Sequence, residues 1–195
     1  MVSNLNILIA GVGGQGILTL SRIIGESALR RGLKVLIAET HGLSQRGGSV
    51  IVHVRIGDDI EAPLIPLGEC DLMLSLELVE TLRYLNYMGN NGVIVSDTLI
   101  LRPPIPRVNI PSYEEIITTL KNTGLEVHLL DASLEADRLG DIRVANMIIL
   151  GYAISSTLLG KYIDIDSVVE SLAHIPGKEL NIKALSMGFK FGVKH

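Results

Sequence analysis

NILIAGVGGQGILTLSRIIGESALRRGLKVLIAE, residues 6–39, decides how the rest of the chain is read. Asn6 to Ala10 is a short apolar run that ends in glycines, as a buried strand running into a tight turn does. From Ile17 to Arg30 the apolar positions Ile17, Leu20, Ile23, Ile24 and Ala28 recur at helical spacing. Gly32 stands where that helix should end, because a residue without a Cβ closes the last turn in the left-handed conformation. Lys34 to Ala38 is a second apolar run, ending at Glu39. Strand, turn, helix and strand make a βαβ unit, which is expected to be parallel and right-handed.

The same alternation continues outward from this unit. Residues 39–49, ETHGLSQRGGS, are polar and glycine-containing and read as an exposed loop. In the strand that follows, Val50, Val52 and Val54 alternate with Ile51, His53 and Arg55, which places His53 on the outward side. Gly57, Asp58 and Asp59 form a turn, and prolines up to Pro66 prevent long regular structure. Strands are expected over 71–76 and 92–96, with a helix over 78–87 between them. Pro103, Pro104, Pro106 and Pro111 make residues 101–111 extended, and this is the one candidate internal boundary. Beyond it, Ser112 can cap a helix with Glu115 in the capping-box position, and Glu126 to Leu130 offers a last strand. Helices are expected over 143–159, 166–173 and 179–189. The chain therefore reads as α/β, a Rossmann-like, mostly parallel open sheet flanked by helices, with a helical C-terminal third. It is expected to form a single domain over residues 1–195.

The chain is 47% hydrophobic and only 19% charged, with a mean hydropathy of +0.40. That leaves little polar surface for a free monomer, so part of the apolar surface is expected to face a partner chain, and the isolated chain is expected to be able to pair with itself. A net charge of −4 argues against nucleic acid, whose binding rests on clustered Lys and Arg. The start, MVSNLNILIAG, lacks the basic region and cleavage site of a signal peptide, and the apolar run at 144–159 is too interrupted and too short to span a bilayer. A cytoplasmic protein without a membrane partner is expected. Cys70 is the single cysteine, whereas an iron–sulfur cluster takes about four thiolates, so this chain alone is expected to hold no cluster. It also has no zinc-ligand spacing.

Gly11, Gly13 and Gly16 match G-x-G-x-x-G between a strand and a helix, where bare backbone lets a phosphate approach the helix N-terminus. Glu39 lies about 20 residues further on, near the position of a ribose-binding acid. A tight strand-to-helix turn with no ligand explains the same glycines. In the loop, His41, Ser44, Gln45 and Arg46 crowd together ahead of Gly47 and Gly48, and a guanidinium beside bare backbone can grip a carboxylate or phosphate in two places. A solvated surface arginine is the plainer alternative. His53 and His128 read as structural, and Glu77 and Asp97, at the ends of strands, read first as helix caps. No arrangement of a catalytic triad or a metalloprotease helix appears.

The stretches GVGGQGILTLSRIIGESALRRG and ETHGLSQRGGSVIVHVRIG closely resemble the gamma subunits, or gamma domains, of 2-oxoacid:ferredoxin oxidoreductases. The HGLSQRGG form of residues 41–48 is similar to the beta subunits of the indolepyruvate:ferredoxin members, and NMIILG at 146–151 also fits. The resemblance implies a part in the oxidative decarboxylation of an aryl pyruvate on thiamine diphosphate, with electrons passing through iron–sulfur clusters to ferredoxin and the acyl group passing to coenzyme A. It implies that thiamine diphosphate and the clusters reside on a larger partner subunit, through which ferredoxin and coenzyme A are engaged. It carries over to Gly13, Gly14, Gln15, Gly16, His41, Gln45, Arg46, Gly47 and Gly48 as candidate contacts for substrate, coenzyme A or the partner, and none of these is assigned as a catalytic or metal-binding residue. Two other readings stand beside it: a lone NAD(P)- or flavin-binding oxidoreductase, suggested by the glycines and Glu39, and a noncatalytic scaffold of the same fold.

Overall fold

The computed structural model describes residues 4–41, 47–102 and 109–193. Among these, the strands are β1 (Leu5–Val12), β2 (Val35–His41), β3 (Ser49–Ile56), β4 (Cys70–Ser75), β5 (Met88–Asp97) and β6 (Glu126–Leu130). The helices are α1 (Ile17–Arg30), α2 (Leu78–Arg83), α3 (Tyr113–Asn122), α4 (Ala132–Arg138), α5 (Ala145–Ser156), α6 (Ile165–Ser171) and α7 (Lys178–Val193). One sheet runs in the order β2-β3-β1-β4-β5-β6. The strands β1, β4, β5 and β6 are parallel neighbours, whereas β3 is antiparallel to both β1 and β2. The mostly parallel α/β reading holds.

The opening unit departs from the expected βαβ in one respect. β2 runs in the same sense as β1 but is not its neighbour, because β3 lies between them, with Val54 opposite Ile7 on one side and Ile37 on the other. The sequence of β3 explains the insertion. It is apolar in both phases, with Val50, Val52 and Val54 on one face and Ile51 with His53 on the other, so it suits a strand covered on both sides. β2 turns polar at Glu39 and Thr40, which suits an edge.

Alternation then sorts the core into two layers. On one face Ile7, Ile9, Val52 and Leu74 pack against α1, α5, α6 and α7. On the other Leu8, Ala10, Ile51, Met73 and Ile94 pack against α2 and α3. His53 belongs to the second layer. It is 2% exposed rather than outward-facing: its Nδ1 accepts from the Ile65 N–H of the following segment at 3.2 Å, and the Tyr87 ring packs edge-on to it with centroids 5.4 Å apart. Burial pushes its imidazole pKa down.

The C-terminal third is helical as expected, and every residue of α5 from Ala145 to Ile154 is buried. Its tightest packing is against α7. A Cβ at Gly188 would collide with the Ile148 carbonyl, and one at Gly151 with the Leu185 carbonyl. Among the described residues no helix is long and apolar enough to cross a membrane. The α3 cap is a complete capping box, with Glu115 N–H donating to Ser112 Oγ at 3.2 Å and Ser112 N–H to Glu115 Oε2 at 2.7 Å. The helix expected over 78–87 ends at Arg83, and a separate single turn covers Leu85–Tyr87. Beyond the proline stretch, β6 pairs with β5 and completes the sheet.

Candidate functional site

The carboxyl end of β1 turns into α1 through the glycines. At Gly11 a Cβ would stand 2.8 Å from Gln15 Oε1 and 3.3 Å from Leu76 Cβ, so the strand end leaves no room for a side chain. Gly16 has φ 78°, the left-handed conformation that glycine adopts without strain. Gln15 clips the turn to the sheet. Its Oε1 accepts from the Val12 N–H and its Nε2 donates to the Leu76 carbonyl, each at 2.7 Å. From α5, Asn146 Nδ2 donates to the Gly16 carbonyl at 3.2 Å.

Among the described residues no side chain caps the first turn of α1. Its N-terminus opens on a cleft of ≈ 360 Å³ lined by Gly13, Gly14, Gly16, Thr19 and Val50. Free backbone N–H groups and the positive end of a helix dipole favour an anion there.

The loop after β2 returns to the same turn. Gly13 N–H donates to the Gly48 carbonyl at 2.9 Å, and Gly47 N–H donates to the Gly13 carbonyl at 3.3 Å. The fold thus brings Gly13, Gly14, Gln15 and Gly16 together with Gly47 and Gly48. The backbone of His41 pairs with Val50 at the end of β2. Gln45, Arg46 and the His41 side chain lie outside the described residues. Glu39 is placed differently from a ribose-binding acid. In dinucleotide folds the second strand adjoins the first, whereas here β3 intervenes and carries Glu39 one strand spacing, about 4.8 Å, further from the glycines.

Buried acids mark the other carboxyl ends of the sheet. Glu77, 1% exposed, accepts from the N–H groups of Glu80 at 2.8 Å and Leu101 at 2.9 Å, so it caps α2 and also ties down the chain after β5. Asp97 accepts from the N–H and the hydroxyl of Ser133 at the start of α4. Burial pushes both carboxyl pKa values up, although the donated hydrogen bonds oppose it. Glu77 caps the helix that follows it, in line with the sequence, whereas Asp97 holds the start of α4 and not of α3, which Ser112 caps. Glu80, 5% exposed, was not singled out from sequence. It joins Ser49 Oγ and Arg83 Nε, and Ser49 in turn meets the Tyr84 hydroxyl at 2.7 Å. Nothing local marks it, because Glu80 looks like an ordinary helix-surface acid until β3 delivers Ser49. Asn146 stands in the NMIILG stretch, but nothing in the sequence marks Gly16 as its partner.

Neither a cluster nor a metal fits these residues. Cys70 is fully buried, donates weakly to the Leu72 carbonyl, and has its thiol pushed up to about 12 by burial. Among the described residues no group of three or more His, Cys, Asp or Glu side chains could hold an ion. Gly57, Asp58 and Asp59 form a turn pinned to Asn4, whose Oδ1 accepts from the Asp59 N–H at 3.3 Å.

An open α/β sheet with a glycine turn at its carboxyl edge and a loop returning to that turn defines the class of the fold. The model of the pyruvate ferredoxin/flavodoxin oxidoreductase family matches residues 6–191, and the chain belongs to that family. It is 41% identical over 194 residues to the indolepyruvate oxidoreductase subunit IorB of Archaeoglobus fulgidus, covering 95% of this chain and 94% of that protein. It is 38% identical over 196 residues to the subunit of the same name from Pyrococcus horikoshii, with the same coverage. The gamma subunit of a keto/oxoacid ferredoxin oxidoreductase from Geobacter sulfurreducens shares the fold, with a TM-score of 0.72, 24% identity, and coverage of 98% of this chain and 99% of that one.

Proposed function

We propose that this chain is the small, cluster-free subunit of a 2-oxoacid:ferredoxin oxidoreductase. In this role it supports the oxidative decarboxylation of indolepyruvate and related aryl pyruvates to the acyl-CoA, with reduction of ferredoxin. The observation that carries the reading is the near end-to-end identity of about two residues in five to indolepyruvate oxidoreductase subunits. The chemistry of this chain agrees with a supporting role. Its one thiol is buried and its buried acids are engaged within the chain, and thiamine diphosphate and the iron–sulfur clusters belong on a larger partner, in the cytoplasm.

The chain works as one gamma-type domain over 1–195. Its contribution to the assembled active site is the glycine turn, Gly13 to Gly16, together with the loop from His41 to Gly48. The turn offers backbone donors at a helix N-terminus and Arg46 offers a guanidinium, a pair suited to the phosphates of coenzyme A, the carboxylate of the substrate, or an acidic partner surface. The displaced Glu39 counts against a lone dinucleotide-binding oxidoreductase.

The test is co-expression with candidate large subunits, followed by indolepyruvate- and coenzyme A-dependent ferredoxin reduction with and without this chain. Activity only when both chains are present is expected. A stable complex inactive on every aryl pyruvate would redirect the substrate to other 2-oxoacids, and the absence of any complex would overturn the subunit reading. In the active complex, Arg46→Ala is expected to raise KM for coenzyme A or substrate, and unchanged kinetics would remove the loop from the site.

A further inference from the structure

Strand alternation at the start of β3 sends Val50 toward α1 and Ser49 toward α2, so the Gly47–Ser49 segment separates two clefts. The one on the α2 side is the larger, ≈ 620 Å³, within the range of small-molecule sites. Its walls are apolar, formed by Val12, Val79, Leu82, Leu101 and Ile110.

The charged side chains at this cleft are unequally engaged. Glu77 at its base is held by two backbone N–H groups, one on each carboxyl oxygen. Glu80 is bound to Ser49 and to Arg83 Nε. Arg83 is engaged only through Nε, which leaves its outer guanidinium edge open, and Arg102 on the rim makes no ion pair or hydrogen bond among the described residues. Both carboxyls are therefore engaged by groups of this chain, whereas Arg102 and the outer edge of Arg83 stand beside an apolar hollow without such partners among the described residues.

We propose that this cleft binds a small apolar carboxylate, its body against Val79, Leu82 and Leu101 and its carboxylate on Arg102 and the free edge of Arg83. A guanidinium takes a carboxylate in two parallel hydrogen bonds, and the apolar walls take the body of the ligand. An inorganic anion would leave those walls unused. The choice of an aryl body rests on the proposed function, whereas the cleft and its two arginines do not.

The experiment is titration of the full-length ¹⁵N-labelled chain with 3-(indol-3-yl)propionate, its uncharged amide, and inorganic phosphate. The propionate is expected to bind and to shift the amides of Val79 and Leu101. The amide is expected to bind about tenfold more weakly, and Arg102→Gln to weaken the propionate by a similar factor. Arg102 is exposed, so its substitution leaves the fold intact, and Val79→Phe, which fills the hollow, gives an independent loss of binding. Absence of binding, equal affinity for the amide, insensitivity to Arg102→Gln, or phosphate binding as tightly as the propionate would each overturn the proposal. Because the readout is binding to this chain alone, an inactive reconstituted complex with intact binding sinks only the proposed function. Full activity without binding sinks only the cleft.

Discussion

The carboxamide of Asn146 in α5 reaches the carbonyl of Gly16, 130 positions earlier in the chain, with Nδ2 and oxygen 3.2 Å apart. The contact joins the helical C-terminal third to the turn at the carboxyl end of β1. Asn146 is 4% exposed, so its single donated bond forms out of reach of water. Asn146→Ala is expected to cost about 1 kcal/mol, the typical worth of one hydrogen bond, and to shift the backbone amide signals of Gly14 to Ile17 while leaving those of β5 and β6 in place. Thermal denaturation and an amide NMR spectrum measure both. Unchanged turn signals would show that the turn holds its shape without α5.

Gln15 gives a sharper test, because both ends of its amide are used. Gln15→Ala strands the Val12 N–H and the Leu76 carbonyl, and a loss of about 1–3 kcal/mol is expected in urea unfolding. Gln15→Glu keeps an acceptor for Val12 but sets a carboxylate oxygen against the Leu76 carbonyl. That contact favours the protonated side chain, so its folded pKa would lie above its unfolded one, and the associated stability is lost as pH rises. The Glu variant should therefore be less stable relative to the Ala variant at pH 7.5 than at pH 4.5, and a gap independent of pH would refute the geometry.

The sequence exposed most of the fold because its periodicities are local. The apolar run at 6–10, the spacing of Ile17, Leu20, Ile23 and Ile24, and the Ser112–Glu115 pair each carry their own signal. Where β3 would sit was not local. Its place between β1 and β2 follows from competition among strands for the covered position, and the burial of His53 follows from that placement together with the segment around Ile65. At the candidate site the glycines were legible, since turn chemistry is written in residue type. The roles of Gln15, Asn146 and Ser49 were not, because each depends on a partner delivered by a distant element.

The α5–α7 contact depends on absent side chains. Gly188 lies so close to the Ile148 carbonyl that a single methyl has nowhere to go, and the neighbouring atoms are backbone, which cannot rotate away. Gly188→Ala is expected to destabilise the chain by about 1–3 kcal/mol despite alanine's better helix propensity, because overpacking outweighs a propensity gain of about 1 kcal/mol. Gly140→Ala has open space around it but φ 104°, so it should be costly through backbone strain instead, with α5 and α7 still packed. Denaturant midpoints rank the two, and hydrogen exchange separates the mechanisms. Faster exchange in α5 and α7 is expected only for Gly188→Ala, and equal exchange in both variants would contradict the packing argument.

Asp97 supplies the pH dependence. It is 1% exposed, and burial is the largest influence on its carboxyl, raising its pKa in the folded chain despite the bonds from Ser133. A carboxyl that holds its proton more tightly when folded contributes stability that is complete below its unfolded pKa and declines as pH rises through the folded value. The donors that favour the ionised form, the Ser133 hydroxyl and N–H on Oδ2 and the backbone N–H groups of Leu99 and Thr98, are outweighed by burial. Asp97→Asn cannot ionise and keeps an acceptor for Ser133. The stability of the native chain minus that of Asp97→Asn should therefore fall from about pH 4 upward, other carboxyls such as Glu77 cancelling in the difference. Urea unfolding of both proteins at pH 4.5, 6 and 7.5 measures it. A difference that grows with pH would mean that the Ser133 hydrogen bonds, not burial, dominate the site and that Asp97 is a carboxylate throughout.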